Sequence, residues 1–297
     1  MIYWLWRLGL SLVRFVPLRV SYAVAGPVAD VAWLFMPVQR RNAVENMTQV
    51  VGSRSNPKAK SLARRSFRNY AKYAIDFMRH PEINPDDLMA RLDFDDWHEF
   101  DAALANGRGI ILVLMHFGNW DLGGAALTAH GYTLNVIAET QAHSRFNDAI
   151  VAARLTRGMK LIPMERAATG IVRAMRRNEM LAILIDRPLT EGGVAVQFFG
   201  AETRVPEGPA RIALRTGARV FPVSLLAVAD RVRAIIDFDV RQVHTGNMER
   251  DVQSLTQQIM TSHERVIRQH PDQWYMFRRM WPAGARVETP PAVTAES

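Results

Sequence analysis

The chain has no cysteine. That excludes a disulfide framework, thiolate metal sites and a cysteine nucleophile, and it fits a reducing cytosolic face. Lysine is almost missing too: four of the 37 basic residues are lysines, so the formal net charge of +8 rests on arginine. No uncharged apolar run reaches about 18 residues, so no membrane-spanning helix is expected. The sequence has no Gly-rich phosphate loop, no G-x-S-x-G elbow, no EF-hand and no internal repeat. His143 and His244 lack ligand-spaced partners, and His263 and His270 stand seven apart, so no metal site is expected. With no helix-turn-helix, zinc finger or aromatic-plus-basic RNA motif, the basic excess points to an anionic membrane surface rather than to nucleic acid.

What is present is organised around Ile110-Ile-Leu-Val-Leu-Met-His116-Phe-Gly-Asn-Trp-Asp121. Six apolar residues, β-branched at their start, read as a buried strand, and Leu122 to His130 reads as a helix. His116 then falls at the C-terminal end of a strand, where open α/β sheets place ligands. Positions i and i+5 diverge on a continuous helix. His116 and Asp121 therefore meet only if the chain turns, which Gly118 permits. Such a pair makes a general base with a stabilised imidazolium. A strand-end histidine that merely caps a helix explains the spacing equally well.

The remaining pattern is α/β. Further strands are expected at Thr133–Ala138, Lys160–Pro163, Met180–Ile185 and Val194–Phe198, with a strand pair over 220–228 and 231–240. Helices are expected at Gln39–Met47, from Pro57 to Arg79, over 96–106, over 144–157, over 165–177, up to Thr216 and over 247–269. Glu191-Gly-Gly193 reads as a hairpin turn into Val194, and Arg204–Ala210 as the lead into a helix. The fold class is a mixed central β-sheet flanked by helices. Residues 1–80 form a helical, membrane-associating N-terminal region, 81–282 the α/β core and 283–297 a disordered Pro/Ala/Thr/Glu-rich tail.

Residues 1–35 are the most apolar stretch. Arg7, Arg14, Arg19 and Asp30 interrupt it, Pro17 and Pro27 break it, and no small-x-small cleavage site is persuasive. Arg7 and Arg14 share a helix face surrounded by Trp4, Trp6, Leu8 and Leu12. This fits a helix lying in the bilayer interface with its arginines snorkelling to phosphates.

The His116-Phe-Gly-Asn-Trp-Asp121 block, Arg154-x-x-x-Gly158-Met159, Asp186-Arg187, Gly193-Val-x-Val-x-Phe198-Phe-Gly200, Pro206-x-Gly-Pro-Ala210 and Pro271-x-Gln-Trp274…Arg278-Arg279 together resemble the lysophospholipid-acyltransferase-like superfamily. The likeness is to the branch holding the late lipid A acyltransferases and the phosphatidylinositol mannoside acyltransferases. Wider glycerolipid acyltransferases usually place Asn before the histidine. Met115 stands there, which favours a glycolipid acceptor over lysophosphatidic acid.

The resemblance implies acyl transfer from acyl-CoA or acyl carrier protein to a hydroxyl, without a further cofactor. It makes His116 the general base and Asp121 the group that orients it, as in the dyad half of a serine hydrolase triad. Amides near Gly118 to Trp120 are candidate oxyanion donors. Glu139, Arg154 and Asp186 fall on positions around the mannoside branch's active site, where the residue matching Asp186 is glutamate. Arg187 and Arg204 are candidates for binding carrier phosphates or the acceptor head group, or for structural ion pairs. The enzyme so implied is peripheral, on the cytoplasmic face of the inner membrane. Its partners are anionic membrane lipids, the thioester donor and a glycolipid acceptor. The competing readings are a lysophospholipid acyltransferase and a non-catalytic lipid-binding protein.

Overall fold

Residues 110–114 are apolar without a break because both faces of their strand are covered. Ile111, Val113 and Met115 enter one core cluster, and Ile110, Leu112 and Leu114 enter another on the opposite face. The computed structural model describes residues 15–282, 284 and 285, apart from 53–56, 80–82, 139–143 and 190. The Trp4/Trp6/Arg7/Arg14 segment, Glu139 and nearly all of the expected tail lie outside the described residues.

The first elements named among the described residues are three helices, α1 (Leu18–Phe35), α2 (Pro37–Val51) and α3 (Pro57–Arg79). The core follows as α4 (Pro85–Arg91), β1 (Leu92–Asp93), α5 (Trp97–Leu104), β2 (Ile110–Gly118), α6 (Trp120–His130), β3 (Leu134–Ala138), α7 (Ser144–Thr156) and β4 (Lys160–Pro163). It continues through α8 (Ala167–Arg176), β5 (Met180–Leu184), β6 (Val194–Phe198), β7 (Ala201–Val205), α9 (Gly208–Thr216), β8 (Arg219–Val228), β9 (Arg231–Ile236) and α10 (Met248–Gln269). Seven strands form one sheet in the order β1-β9-β8-β2-β5-β3-β4. The pairs from β8 through β4 are parallel, while β9 runs antiparallel to β8. The expected mixed sheet flanked by helices is the observed architecture.

One expectation moves. The hairpin of β6 and β7 turns at Phe199-Gly200, not at Glu191–Gly193. Both turn residues have positive φ (52° and 73°), the backbone that a tight two-residue hairpin needs. Phe199 is held there by burial against Trp274 and Trp281. Residues 201–205 are therefore a strand, so Arg204 and Val205, expected to lead into a helix, end β7 instead, and the helix starts at Gly208.

The N-terminal helices pack as a bent pair, with 101° between α1 and α2. Among the described residues no single helix is long and apolar enough to cross a membrane. Along α1, Ala25, Ala29 and Trp33 are buried, and Asp30 pairs with Arg64 and Arg68 of α3. Arg65 pairs with Asp272. The opposite face leaves Val20, Val24, Val28, Val31 and Phe35 exposed.

After α10 the chain crosses back over the end of the sheet. Phe117 and Trp274 form an antiparallel bridge, and the Tyr275 amide donates to the His116 carbonyl at 2.7 Å. Buried Asn46 of α2 pins this strap by donating to the carbonyls of Met276 and Arg278 and accepting from the Met280 amide.

Candidate active site

The site forms where β2 stops pairing regularly. Between Leu114 and Gly118 the register with β8 shifts, and Gly118 adopts φ +60°. A Cβ at Gly118 would lie 1.7 Å from the Leu225 carbonyl oxygen, so only glycine fits. The Asn119 amide then donates to that same carbonyl. The Asn119 side chain caps α6 by accepting from the Leu122 amide at 3.1 Å. The turn anticipated from Gly118 is present, and it sets Trp120 and Asp121 at a helix start beside His116.

His116 lies on an apolar cavity of about 720 Å³. Its ring Nδ1 is 2.8 Å from Asp186 Oδ1, and its backbone amide donates to Asp186 Oδ2 at 3.0 Å. Asp186 is fully buried, and Trp274 also donates its indole N–H to Oδ2 at 3.1 Å. Burial alone would raise the Asp186 pKa. The charge and hydrogen bonds of His116, with the Trp274 donor, more than offset it, and the carboxyl lies below the usual carboxylate range. An ionised acceptor on Nδ1 assigns the ring proton there and leaves Nε2 as the basic nitrogen.

The sequence reading gave the orienting role to Asp121. Here the carboxylate on His116 Nδ1 belongs to Asp186, and Asp121 is gripped elsewhere. Arg154 donates to it from Nε at 2.7 Å and from a terminal nitrogen at 3.1 Å, and the Tyr73 hydroxyl donates at 2.6 Å. Burial lowers the Arg154 pKa, but the adjacent Asp121 charge outweighs it and the net direction is upward. Burial first, then the Asp121 charge, pushes the Tyr73 pKa well up, so its hydroxyl stays a donor. Tyr73 stacks on Trp120 at 4.1 Å between ring centroids, and Trp120 stands edge-on to His116 at 5.4 Å.

The other named residues separate. Arg187 lies on the cavity, and burial together with the Arg278 charge lowers its pKa. Arg204 is exposed, and its guanidinium donates to the carbonyls of Gly192 and Gly193 at 2.7 and 2.9 Å, holding the entrance of β6. The amide of Asn119, within the span suggested for oxyanion donors, is engaged by Leu225. Among the described residues there is no cluster of three or more His, Asp or Glu that could hold a metal ion.

From His116 the cavity continues between the sheet and α6, lined by Leu114, Leu112, Phe100, Leu134 and Val136. Most of its lining is hydrocarbon, and its polar lining includes His116, Asp121, Asn147, Arg154 and Arg187. Tyr73 and Trp274 went unassigned in the sequence. Tyr73 falls inside the helix expected from Pro57 to Arg79, and Trp274 belongs to a motif with no role attached.

A sequence model of the family described as bacterial lipid A biosynthesis acyltransferase matches residues 1–282. The chain is 31% identical over 280 residues to a phosphatidylinositol mannoside acyltransferase of Mycolicibacterium smegmatis, covering 92% of this chain and 89% of that protein. It is 29% identical over 288 residues to a phosphatidylinositol mannoside acyltransferase of Mycobacterium tuberculosis, covering 94% and 88%. With a match over nearly its whole length, the chain belongs to the bacterial lipid A biosynthesis acyltransferase family.

Proposed function

We propose that this acyltransferase moves a fatty acyl chain from a thioester, acyl-CoA or acyl carrier protein, to a hydroxyl of a membrane glycolipid of the lipid A precursor or phosphatidylinositol mannoside type. The observation that carries the reading is one histidine with a buried carboxylate on Nδ1, set beside an apolar cavity. The acceptor hydroxyl oxygen attacks the thioester carbonyl as His116 Nε2 takes its proton. The tetrahedral intermediate collapses, the carbon–sulfur bond breaks, and the leaving thiolate takes the proton back from the imidazolium. The products are an ester and a free thiol, and no acyl-enzyme is required. Asp186 stabilises the imidazolium in between, and the Asp121–Arg154–Tyr73 group shapes the wall beside it.

The cavity houses the acyl chain, and Arg187 in its lining attracts the phosphate of donor or acceptor. Arg204 is left out of this role because Nε and one terminal nitrogen already hold backbone carbonyls and it is not part of the cavity lining. The relatives named as mannoside acyltransferases favour a glycolipid over a lysophospholipid acceptor. The exposed apolar face of α1 and the arginine excess favour a peripheral enzyme on the anionic cytoplasmic leaflet.

The test is free-thiol release from palmitoyl-CoA by the detergent-purified protein, with and without a membrane glycolipid extract, beside His116→Ala. Release that depends on both the extract and His116 is expected, with the acylated lipid identified by mass spectrometry. A His116→Ala protein that keeps most of the activity would overturn the general-base reading. Turnover of glycerol-phosphate acceptors alone would overturn the glycolipid assignment.

A further inference from the structure

Asp186 has a second oxygen that the His116 ring does not use. Oδ1 faces ring Nδ1 at 2.8 Å, while Oδ2 accepts from the His116 amide at 3.0 Å and from the Trp274 indole at 3.1 Å. A carboxylate without donors on its far oxygen turns about its last side-chain torsion, which is broad. Two donors on Oδ2 fix the plane and so fix where Oδ1 points.

Of those two donors, only the indole is a side chain, and its own placement is rigid. Trp274 is fully buried, edge-on to Phe198 at 5.8 Å and stacked over Phe199 at 6.3 Å. Its backbone bridges to Phe117, and the next amide, that of Tyr275, holds the His116 carbonyl at 2.7 Å. Gln273 before it is fastened to the Ala227 backbone by two hydrogen bonds of 2.9 and 2.8 Å. The same three residues thus hold the main chain of the base with one side and the carboxylate with the other. An indole N–H also suits the task chemically, because it donates and cannot accept.

We propose that Trp274 is a positioning residue for acyl transfer, holding Asp186 in the rotation that presents Oδ1 to His116 Nδ1. The proposal rests on His116 being the base. Trp274 touches neither acyl donor nor acceptor and acts only through Asp186. Among the described residues, His263 of α10 also faces Asp186, and burial pushes it down to about 4 and so leaves it neutral in the working range. Arg187 follows Asp186 in the chain and keeps its charge.

The experiment compares Trp274→Phe with Trp281→Phe. The latter removes a chemically equal buried donor, the Trp281 indole to the Phe198 carbonyl at 3.1 Å, seven residues along the same strap. For Trp274→Phe, kcat is expected to fall about tenfold or more, the size of losing one hydrogen bond to a charged group. KM should stay within about twofold, and the acid limb of the kcat–pH profile should move to lower pH, because a carboxylate that turns away from Nδ1 stabilises the imidazolium less. Trp281→Phe is expected to lower the melting temperature without moving that limb. In an Asp186→Asn background, Trp274→Phe is expected to change residual kcat no further, since the residue through which it acts is already gone. An unchanged kcat and profile in Trp274→Phe, an equal shift in Trp281→Phe, or additive losses in the double variant would each overturn the proposal. Loss of activity in His116→Ala alongside a silent Trp274→Phe would sink this inference and leave the base intact. Should Trp274→Phe not fold, the ¹⁵N-labelled intact protein supplies the reading: Asp186→Asn is expected to shift the assigned Trp274 indole proton upfield, and an unmoved resonance overturns the proposal.

Discussion

His116 and Asp186 stand at the same offset from the start of two neighbouring parallel strands. Ile110 pairs with Met180 and Leu114 with Leu184, and each strand carries its ionisable residue two places further on. The carboxylate reaches the imidazole because the sheet puts them side by side. The short aspartate side chain suffices because the His116 backbone itself closes on Oδ2 at 3.0 Å. Replacing Asp186 by Asn keeps the shape but removes the charge that stabilises the imidazolium and its tautomer. A loss of about 10²–10⁴ in kcat is expected, with KM little changed. Asp186→Glu should recover less than full activity, because the longer stem displaces Oδ1 from Nδ1. Steady-state kinetics of the two variants check both statements.

Arg154 and Asp121 form a buried ion pair, with side-chain exposures of 17% and 3%. Removing only Arg154 takes the compensating positive charge from a carboxylate that is 3% exposed, leaving the Tyr73 hydroxyl on it. Arg154→Ala is expected to lose about 3–5 kcal/mol of folding stability. Converting the pair together, Arg154→Met with Asp121→Leu, is expected to restore most of it, because neither charge is then left alone. If the pair also shapes the acyl-transfer wall, activity stays low in the double variant despite regained stability. Urea titration paired with turnover separates the two effects.

Two buried groups tilt stability in opposite directions with pH. Asp76 lies between Tyr22 of α1 and Asn119 at the cap of α6, accepting from them at 2.6 and 3.0 Å. Burial pushes its carboxyl up to about 6. The native state therefore holds the extra proton, and this group's contribution is present near pH 4 and lost as pH rises through 6. His263 is pushed down to about 4 by burial, so its contribution is present above pH 6.5 and lost as pH falls through 4. Each shift corresponds to about 3 kcal/mol. Asp76→Asn is expected to steepen the loss of stability on acidification between pH 6 and 4.5, whereas His263→Asn reverses the slope. Denaturation at several pH values reads the sign directly, and equal slopes in the two variants would refute it.

How much of this was legible in the sequence differs by element. The strand over 110–118 announced itself because burial on both faces demands an unbroken apolar run. Gly118 could be read as the turn residue, although the reason it must be glycine, the Leu225 carbonyl 1.7 Å from its would-be Cβ, belongs to a strand more than a hundred residues away. The partner of His116 was misassigned because sequence spacing favours Asp121, five residues on. Strand register, a long-range property, brings Asp186 in from seventy residues away. The equal offset from the two strand starts was visible, but it means nothing until those strands are known to be neighbours. Trp274 and Tyr73 needed the packing of the strap and of α3 against the sheet, which no local pattern specifies.

The exposed residues of α1 make a test of membrane attachment independent of the chemistry. Val20, Val24, Val28, Val31 and Phe35 recur at three- and four-residue steps on one face, with between 49% and 80% of each exposed. The opposite face carries Ala25, Ala29 and Trp33 into the core. Replacing Val24 and Val28 by Glu leaves that packing untouched, so the melting temperature should hold. Binding to anionic phospholipid vesicles should fall by at least tenfold, through lost apolar burial and added charge repulsion. Vesicle sedimentation measures it, and unchanged binding would move the membrane contact elsewhere on the protein.

Gly124 stands one helical turn below Trp120 on α6, on the inner wall of the cavity. A Cβ there would meet the Met159 methyl at 3.0 Å and Leu134 Cδ2 at 3.3 Å. Both neighbours are ends of flexible side chains, so a small residue is tolerated at the expense of cavity depth. Gly124→Val should therefore fold and keep His116 chemistry while shortening the space for the acyl chain. Each methylene left unburied costs about 0.8 kcal/mol, roughly a fourfold loss in kcat/KM. Palmitoyl donors are expected to lose at least tenfold relative to lauroyl donors, whose shorter chain stops before the obstruction. A parallel loss for both lengths would mean that the chain does not reach Gly124. The transferred acyl group would then occupy another part of the cavity.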